Sequence, residues 1–270
     1  SIFLNKPAPM QISMLGYLST TGMKEIEYKI GDPHIYPTTI EKNFSEKILR
    51  LPNIWSDFVV KEYIDISKLS FDDKTDQIIF GCFITLRKIN DDVIKLWSKV
   101  LKKFANTKIY FKSPELNNIS IEKDLKNKFL NHGIKSDQLI LERSSNYKSY
   151  LEAYLKVHIS LDPFPWNGVT TSFESIWMGV PIFCLKGNNL PYSRCAYSIN
   201  KNLGMDDWIA QDENEYLNKL EKILSNKNKL LEIKKNLRNN AIKKNLFNSK
   251  KYAENLANIL NQTWKDFTVR

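Results

Sequence analysis

Short apolar runs alternate with longer stretches of helical periodicity over most of the chain after residue 77. The runs predict strands at 78–83, 108–111, 139–141, 157–161 and 182–184. The periodic stretches, with apolar residues three and four positions apart, predict helices over 91–104, 121–132, 147–154, 171–178, 192–202, 213–224, 227–244 and 249–266. Strands separated by helices of this length form a parallel, doubly wound sheet, so the predicted fold class is α/β.

The pattern before residue 77 is less regular. It indicates a strand over 10–18, a strand and loop within 26–36, and a short helix over 40–48. The polar, aperiodic run Asp-Asp-Lys-Thr-Asp at 72–76 is typical of a linker. We therefore predict a first segment over 1–71, the linker at 72–76, an α/β domain over 77–245 and a C-terminal helix within 246–270. The apolar stripe of that helix is wide enough to pack back toward the first segment.

The most informative stretch is LDPFPWNGVTTSFESIWMGVP, residues 161–181. A buried strand ends at Asp162-Pro163, a turn follows through Asn167-Gly168, and residues 170–172 offer Thr and Ser as N-caps of a helix. The first N–H groups of a helix lack intrahelical partners and its dipole favours negative charge, so this start suits an anion. Glu174 is placed to accept hydrogen bonds from a ribose or to complement the helix dipole. Spacing alone leaves a plain strand-to-helix turn open as the alternative.

A second candidate segment, Thr85-Leu86-Arg87-Lys88, follows the strand at 78–83. Ligands of doubly wound sheets bind beyond the carboxyl ends of the strands, so we expect this segment and the 162–172 loop to meet at one crevice. Lys88 would present its ammonium group to a phosphate there, and charge-assisted contacts of this kind are strong. Composition alone favours a surface lysine, because the chain has 40 basic residues.

The formal charge of +10 and the pI near 9.3 raise the question of a nucleic-acid partner. The charges in the most basic region, 219–251, are interleaved with apolar residues at helical spacing, which is typical of a solvated amphipathic face. No basic-aromatic RNA-binding signature and no zinc finger are present in the sequence. We therefore expect no nucleic-acid partner, and no apolar run is long enough to predict a membrane span.

The cysteines and histidines give weak signals. Cys82, Cys184 and Cys195 are scattered and lack metal-ligand spacing, so they are interpreted as reduced core residues of a cytoplasmic protein. The opening residues, SIFLNKPAPM, lack the apolar core of a signal peptide. His158 lies within a predicted strand and is interpreted as a core imidazole. The other two histidines, His34 and His132, are interpreted as a loop and a helix-end residue.

Residues 161–181 closely resemble the nucleotide-sugar-binding segment of the O-linked N-acetylglucosamine transferases, glycosyltransferase family 41, especially its SPINDLY-like bacterial members. The resemblance continues in order through most of the chain and is weakest around 110–150. The further motifs that carry it are Pro9-Met10-Gln11-Ile12, Leu15-Gly16-Tyr17, Thr20-Thr21-Gly22, Ser45-Glu46-Lys47, Leu51-Pro52, Ser193-Arg194, Leu203-Gly204, Trp208-Ile209-Ala210, Leu246-Phe247-Asn248, Tyr252 and Trp264.

The resemblance implies a GT-B fold, with residues 77–245 as the C-terminal Rossmann-like domain and 1–71 as the tail of the first. It implies a UDP-sugar-dependent protein glycosyltransferase that transfers GlcNAc or another hexose to Ser or Thr of an acceptor protein with inversion. No metal or cofactor is expected beyond the UDP-sugar donor. The family's catalytic His lies upstream of the first matching motif, so we expect this chain to bind the donor better than it catalyses transfer.

The family's site residues transfer to matching positions of this chain. Lys88 matches the essential diphosphate-binding lysine and is the predicted catalytic residue. Tyr150 matches a group that stacks near the uracil, although a half-buried helix aromatic is an equal alternative. Gly16 matches a glycine at which the first domain's backbone approaches the donor, with an ordinary turn as the alternative. The predicted substrate-binding residues are Gly16, Thr85, Tyr150, Asn167, Gly168, Val169, Thr170, Thr171 and Glu174.

Three departures from the family pattern leave a second function open. Val169 stands where many relatives carry His or Gly, and Ile84-Thr85 replace the polar residues before the lysine. No histidine of the chain stands in the context of the catalytic one. The alternative is therefore a catalytically degenerate UDP-sugar-binding or scaffolding module.

Overall fold

Two parallel sheets organise the computed structural model, which describes residues 2–59, 64, 77–143 and 145–269. The predicted linker at 72–76 lies outside these residues, and the boundaries near residues 71 and 245 stay predictions. No helix within the described ranges is both long enough and apolar enough to cross a bilayer.

The larger sheet has six parallel strands: β4 (Ile78–Cys82), β5 (Thr107–Lys112), β6 (Leu139–Glu142), β7 (Ile159–Leu161), β8 (Ile182–Leu185) and β9 (Ile209–Ala210). Their spatial order is β6-β5-β4-β7-β8-β9, which is that of a doubly wound Rossmann-type sheet. The order reverses between β4 and β7, so the crevice for a ligand lies beyond the carboxyl ends of these two strands. The predicted α/β class is confirmed. Strand β9 was not predicted, because two residues carry no periodicity.

Eight α-helices connect and follow the described strands of this sheet. They are α1 (Asp91–Lys103), α2 (Ile119–Asn131), α3 (Tyr147–Ala153), α4 (Thr170–Trp177), α5 (Cys195–Leu203), α6 (Glu213–Leu224), α7 (Lys227–Lys243) and α8 (Ser249–Thr268). Helix α1 illustrates the local signals. The Asn90 side chain caps it by accepting from the Val93 N–H, acidic residues occupy its first turn and lysines its last. Its apolar face, including Trp97, is fully buried against the sheet.

The smaller sheet consists of three parallel strands, β1 (Ile12–Met14), β2 (Tyr28–Gly31) and β3 (Lys47–Arg50). The predicted helix over 40–48 is wrong in its second half. A 3-10 helix covers Thr38–Asn43, and the chain then enters β3. Pairing with β2 decides this structure, since the Lys47 N–H donates to the Glu27 carbonyl and Ile48 is buried. A local pattern cannot report such a nonlocal partner.

The two sheets are joined by a buried polar cluster and a shared apolar core. Asp32, at the end of β2, accepts hydrogen bonds from the Trp55 N–H at 3.0 Å and from the Ser198 hydroxyl at 2.6 Å. Arg194 donates through Nε to the His34 carbonyl at 2.7 Å. Around these contacts, apolar side chains of both parts form one core, in which the Trp55 and Phe173 rings lie 5.8 Å apart.

The beginning of the C-terminal segment contacts the first part of the chain. Leu246 is buried in the shared core, the Phe247 ring packs against Phe58 and Trp177, and the Tyr252 hydroxyl donates to the Trp55 carbonyl at 3.1 Å. Beyond this point α8 is largely open to solvent. Thr263 is its one buried residue.

We expect Phe247→Ala to lower the free energy of unfolding by about 2 kcal/mol, because the half-buried ring leaves a gap among three aromatic neighbours. Phe267→Ala is the matched control, since that half-buried ring contacts only the Trp264 ring among the described aromatic pairs. Urea denaturation of both variants measures the difference. Equal losses would show that residue 247 is no anchor between the two parts.

Candidate functional site

The two segments predicted to meet do lie together beyond β4 and β7. A single 3-10 turn, Leu86–Lys88, follows β4 and turns the Lys88 side chain toward the loop after β7. There the Lys88 ammonium donates to the Asn167 carbonyl at 2.7 Å. Burial lowers the pKa of Lys88, and the nearby Asp162 carboxylate raises it again. The expectation of one crevice is therefore confirmed.

The loop between β7 and α4 is held by its own polar groups. Asp162 accepts from the Gly168 N–H at 2.9 Å, and the Asn167 amide donates to the Pro163 carbonyl at 2.9 Å. A Cβ at Gly168 would lie 2.5 Å from the Ser172 hydroxyl and 3.1 Å from the Asp162 carboxylate, so only glycine fits without displacing them. These contacts fix the backbone that leads into the helix.

The start of α4 differs from the sequence prediction. The helix begins at Thr170, its N-cap position is Val169, and no side chain caps it. The expected Thr or Ser cap is thus absent, because residues 170–172 already lie within the helix. The N–H groups of Thr170 and Thr171 have no acceptor within the part of the chain that the structure describes. An anion bound here would satisfy them and interact favourably with the helix dipole.

A cavity of about 360 Å³ opens between the two parts of the chain beside this helix start. Gly16 and Tyr17 contribute from the first part, and Asn167, Val169 and Thr170 contribute from the second. A Cβ at Gly16 would meet nothing within 4 Å, so packing alone does not require glycine there. The structure thus brings Gly16 to the same cleft as the loop predicted to face the donor.

Glu174 of α4 and Tyr150 of α3 lie together. The Glu174 carboxylate is buried and accepts from the Tyr150 hydroxyl at 2.9 Å and from the Tyr147 hydroxyl at 3.1 Å. Burial raises the pKa of Glu174, and these hydroxyl groups lower it. The Tyr147 and Tyr150 rings stack with their centroids 6.1 Å apart. The aromatic and the acidic residue named from the sequence are therefore neighbours, and Tyr147 is a member of the cluster that sequence reasoning missed.

Thr85, Arg87 and the three histidines lie outside the site contacts described above. Thr85 is exposed and makes no capping hydrogen bond, and Arg87 is 87% exposed beside Glu115. His158 accepts from the Ile79 N–H at 3.0 Å, and burial lowers its pKa to about 3, which confirms a core imidazole. His34 lies in a loop and His132 ends α2, as expected.

Asp162 was interpreted from the sequence only as the end of a strand, yet it lies at the centre of the site. Its second carboxylate oxygen is buried without a hydrogen-bond partner among the described residues. Burial raises the pKa of Asp162 to about 8, although the Gly168 N–H and Lys88 act in the opposite direction.

No cluster of three or more His, Cys, Asp or Glu side chains placed to hold a metal ion occurs in the described ranges. The cationic group and the free N–H groups at the start of α4 are the features of the site that attract an anion.

A family model described as glycosyl transferase family 41 matches residues 1–64 and 57–256. The curated relatives include the probable UDP-N-acetylglucosamine–peptide N-acetylglucosaminyltransferases SPINDLY of Solanum lycopersicum and SEC of Arabidopsis thaliana. Both are 26% identical to this chain, over 263 and 273 residues. Each alignment covers 97% of the chain but only 28% and 27% of the relative.

Solved structures share the fold. A mutant O-GlcNAc transferase of Thermobaculum terrenum superposes with a TM-score of 0.88 at 23% identity, covering 98% of this chain and 50% of that one. The S. aureus protein TarM superposes with a TM-score of 0.56 at 15% identity, over 88% of this chain and 44% of its own. The fold is that of the GT-B glycosyltransferases, as predicted.

The raised pKa of Asp162 predicts a pH-dependent effect of Asp162→Asn. Between the ordinary value of 3.8 and about 8, the folded protein retains a proton that the unfolded chain has released. The wild type therefore loses stability as pH rises through this window, by at most about 1.4 kcal/mol per pH unit. The Asn side chain has no such proton and still accepts from the Gly168 N–H. The free energy of unfolding of Asp162→Asn, measured relative to that of the wild type, should therefore increase with pH.

Urea denaturation from about pH 5 to about pH 8 measures this difference. Asp207→Asn, at an exposed position, controls for the loss of one negative charge. A constant difference between Asp162→Asn and wild type across the window would contradict the assignment.

Proposed function

Because the chain belongs to glycosyl transferase family 41, we propose that it binds a UDP-sugar and takes part in transfer of the sugar to Ser or Thr of a protein. The observation that carries this proposal is the Lys88 ammonium beside an uncapped helix start at the switch point of a doubly wound sheet. The relatives that cover most of the chain are named as UDP-N-acetylglucosamine–peptide N-acetylglucosaminyltransferases, which supports the donor class.

In this proposal the diphosphate binds between Lys88 and the N–H groups of Thr170 and Thr171. When the sugar departs from UDP, negative charge builds on the β-phosphate, and a cation held next to that oxygen stabilises the transition state. Lys88 now donates to the Asn167 carbonyl, a neutral acceptor that a phosphate oxygen can replace. Lys88 is therefore the proposed catalytic group.

The nucleoside is proposed to lie over the cluster of Tyr150 and Glu174. A ribose hydroxyl would take the place of one tyrosine hydroxyl on the carboxylate, and the uracil would lie near the tyrosine rings. Exposed Thr85 lies at the rim and is available to the nucleotide. Gly16, Asn167, Gly168 and Val169 are assigned to the sugar side of the cleft.

Metal-independent, inverting transfer is part of the proposal. Lys88 and the start of α4 supply the positive charge that a metal ion provides in other transferases. The acceptor would enter from the cleft between the two parts, which Gly16, Tyr17, Val169 and Thr170 line.

A cytoplasmic site of action and the absence of a nucleic-acid partner are also proposed. Cys82, Cys184 and Cys195 are buried free thiols, which are typical of a reducing compartment. The positive charge is spread over solvated helix faces, and at long range it favours approach of an anionic donor.

Calorimetry with UDP tests the assignment of Lys88. We expect Lys88→Ala to weaken binding by about 1.5–3 kcal/mol, the range for a hydrogen bond to a charged group. Arg87→Ala is the matched control, because its guanidinium is 87% exposed and pairs with Glu115 at 3.2 Å. That variant should bind UDP within about 0.5 kcal/mol of wild type. Equal UDP affinity in the wild type and Lys88→Ala would reject the proposed diphosphate site.

Transfer is tested with UDP-GlcNAc and cell-lysate proteins, using mass spectrometry to detect modified Ser or Thr. We expect the 270-residue chain to bind the donor but to transfer poorly, because residues 2–59 offer Gly16 as the one predicted donor contact of the first domain. Positioning the acceptor hydroxyl needs groups on both sides of the cleft. Lys88→Ala is the negative control. Efficient transfer by the chain alone would show that its own residues suffice. Absence of transfer even from a longer protein that contains this chain, with UDP still bound, would favour the binding-module alternative.

A further inference from the structure

A stacked pair of aromatic rings forms part of the wall of the cleft between the two parts of the chain. The Trp166 and Tyr192 rings lie 4.3 Å apart at an interplanar angle of 17°. Both residues line the 360 Å³ cavity that Gly16 and Thr170 also line. Trp166 is 44% exposed, although large aromatic side chains usually bury their surface. Neither the described fold nor the proposed diphosphate site requires an indole ring at this position.

A backbone hydrogen bond ties the loop that carries Trp166 to Tyr192. The Tyr192 carbonyl accepts from the Asn167 N–H at 3.1 Å, so the residue under the indole ring is also bonded to the loop that carries it. The same loop is fixed by Asp162 on the Gly168 N–H. A preorganised ring loses little conformational freedom on binding, which favours its use in recognition.

The position of the pair indicates which part of a donor it contacts. In a sugar nucleotide the hexose is linked directly to the β-phosphate, so its ring lies within one bond of the diphosphate. Trp166 lies four positions before Thr170, in the loop that leads into α4, and both residues line one cavity. A diphosphate on the Thr170 N–H would therefore bring the hexose to the indole.

We propose that the stacked Trp166–Tyr192 pair is a platform for the apolar face of the donor's hexose and makes Trp166 a residue that determines donor affinity and specificity. A pyranose presents C–H groups on one face, and these match the electron-rich face of an indole. The hydroxyl groups at the edge of the ring remain available to polar groups of the loop. This inference rests on the proposed UDP-sugar function and adds a contact for the sugar itself.

Comparison of UDP with UDP-GlcNAc and UDP-glucose isolates the sugar contact. We measure the dissociation constants of all three ligands by calorimetry for wild type, Trp166→Ala and Trp166→Phe. In Trp166→Ala the dissociation constants of both UDP-sugars should rise about tenfold relative to that of UDP, which corresponds to about 1.4 kcal/mol. UDP itself should bind almost unchanged. Trp166→Phe keeps an aromatic face and should retain most of the affinity for UDP-sugars that Trp166→Ala loses.

Trp264→Ala is a closely matched control. Trp264 is 45% exposed and its ring also stacks on an aromatic neighbour, Phe267, at 5.9 Å, but it lies on α8 and does not line the cleft. Its replacement should leave all three affinities unchanged. Melting temperatures of each variant distinguish loss of the platform from loss of the fold.

The outcomes separate this inference from the function on which it rests. Failure of the wild type to bind UDP would overturn the proposed function and the platform together. Normal UDP binding with an equal loss for UDP and the UDP-sugars in Trp166→Ala would overturn the platform alone, as would UDP-sugar affinities that the substitution leaves unchanged. A selective loss for the UDP-sugars, restored by Phe, would support it.

Discussion

The geometry of the cleft depends on the buried Asp32 carboxylate. It accepts from the N–H groups of His34, Ile35 and Trp55 in the first part of the chain and from the Ser198 hydroxyl of α5 in the second. Burial raises the pKa of Asp32, and the hydrogen bonds from Ser198, Ile35 and His34 lower it. A buried carboxylate is costly unless its lone pairs are satisfied, so the hydrogen bond from Ser198, which crosses between the two parts, favours one arrangement of them. Trp55 itself lines the cleft, which links this cluster directly to the shape of the cavity.

The order of the strands in the larger sheet determines where the candidate site residues lie. Because the spatial order reverses between β4 and β7, the segments that follow these strands emerge side by side and no intervening connection covers them. The backbone N–H groups at the start of α4 and the ammonium of Lys88 therefore converge, although 82 positions separate Lys88 from Thr170. Topology supplies the proximity, and the close fit at Gly168 supplies the local geometry.

The sequence predicted those features that local patterns encode. The alternation of strands and helices from Ile78 onward, the meeting of Lys88 with the 162–172 loop and the core position of His158 follow from periodicity and strand ends. Features that depend on distant partners were missed. Strand β3 forms because β2 lies beside it, and the pKa of Asp162 rises because other elements remove water from its carboxylate. Neither neighbour is visible within a window of a few residues.

The uncapped start of α4 connects stability with function. A helix that begins with Val at its N-cap is less stable than one with Ser or Thr there, by about 0.5–2 kcal/mol. Thr, Thr and Ser occupy the next three positions, but these residues already lie within the helix. Their hydroxyl groups therefore do not occupy the N-cap position, which is one residue earlier. Gly168 and the Asp162 carboxylate fix the loop in this register. The same register leaves the first N–H groups open toward the cleft. A side-chain cap would compete with an anion for these groups, so the locally less stable start is the one able to bind a diphosphate.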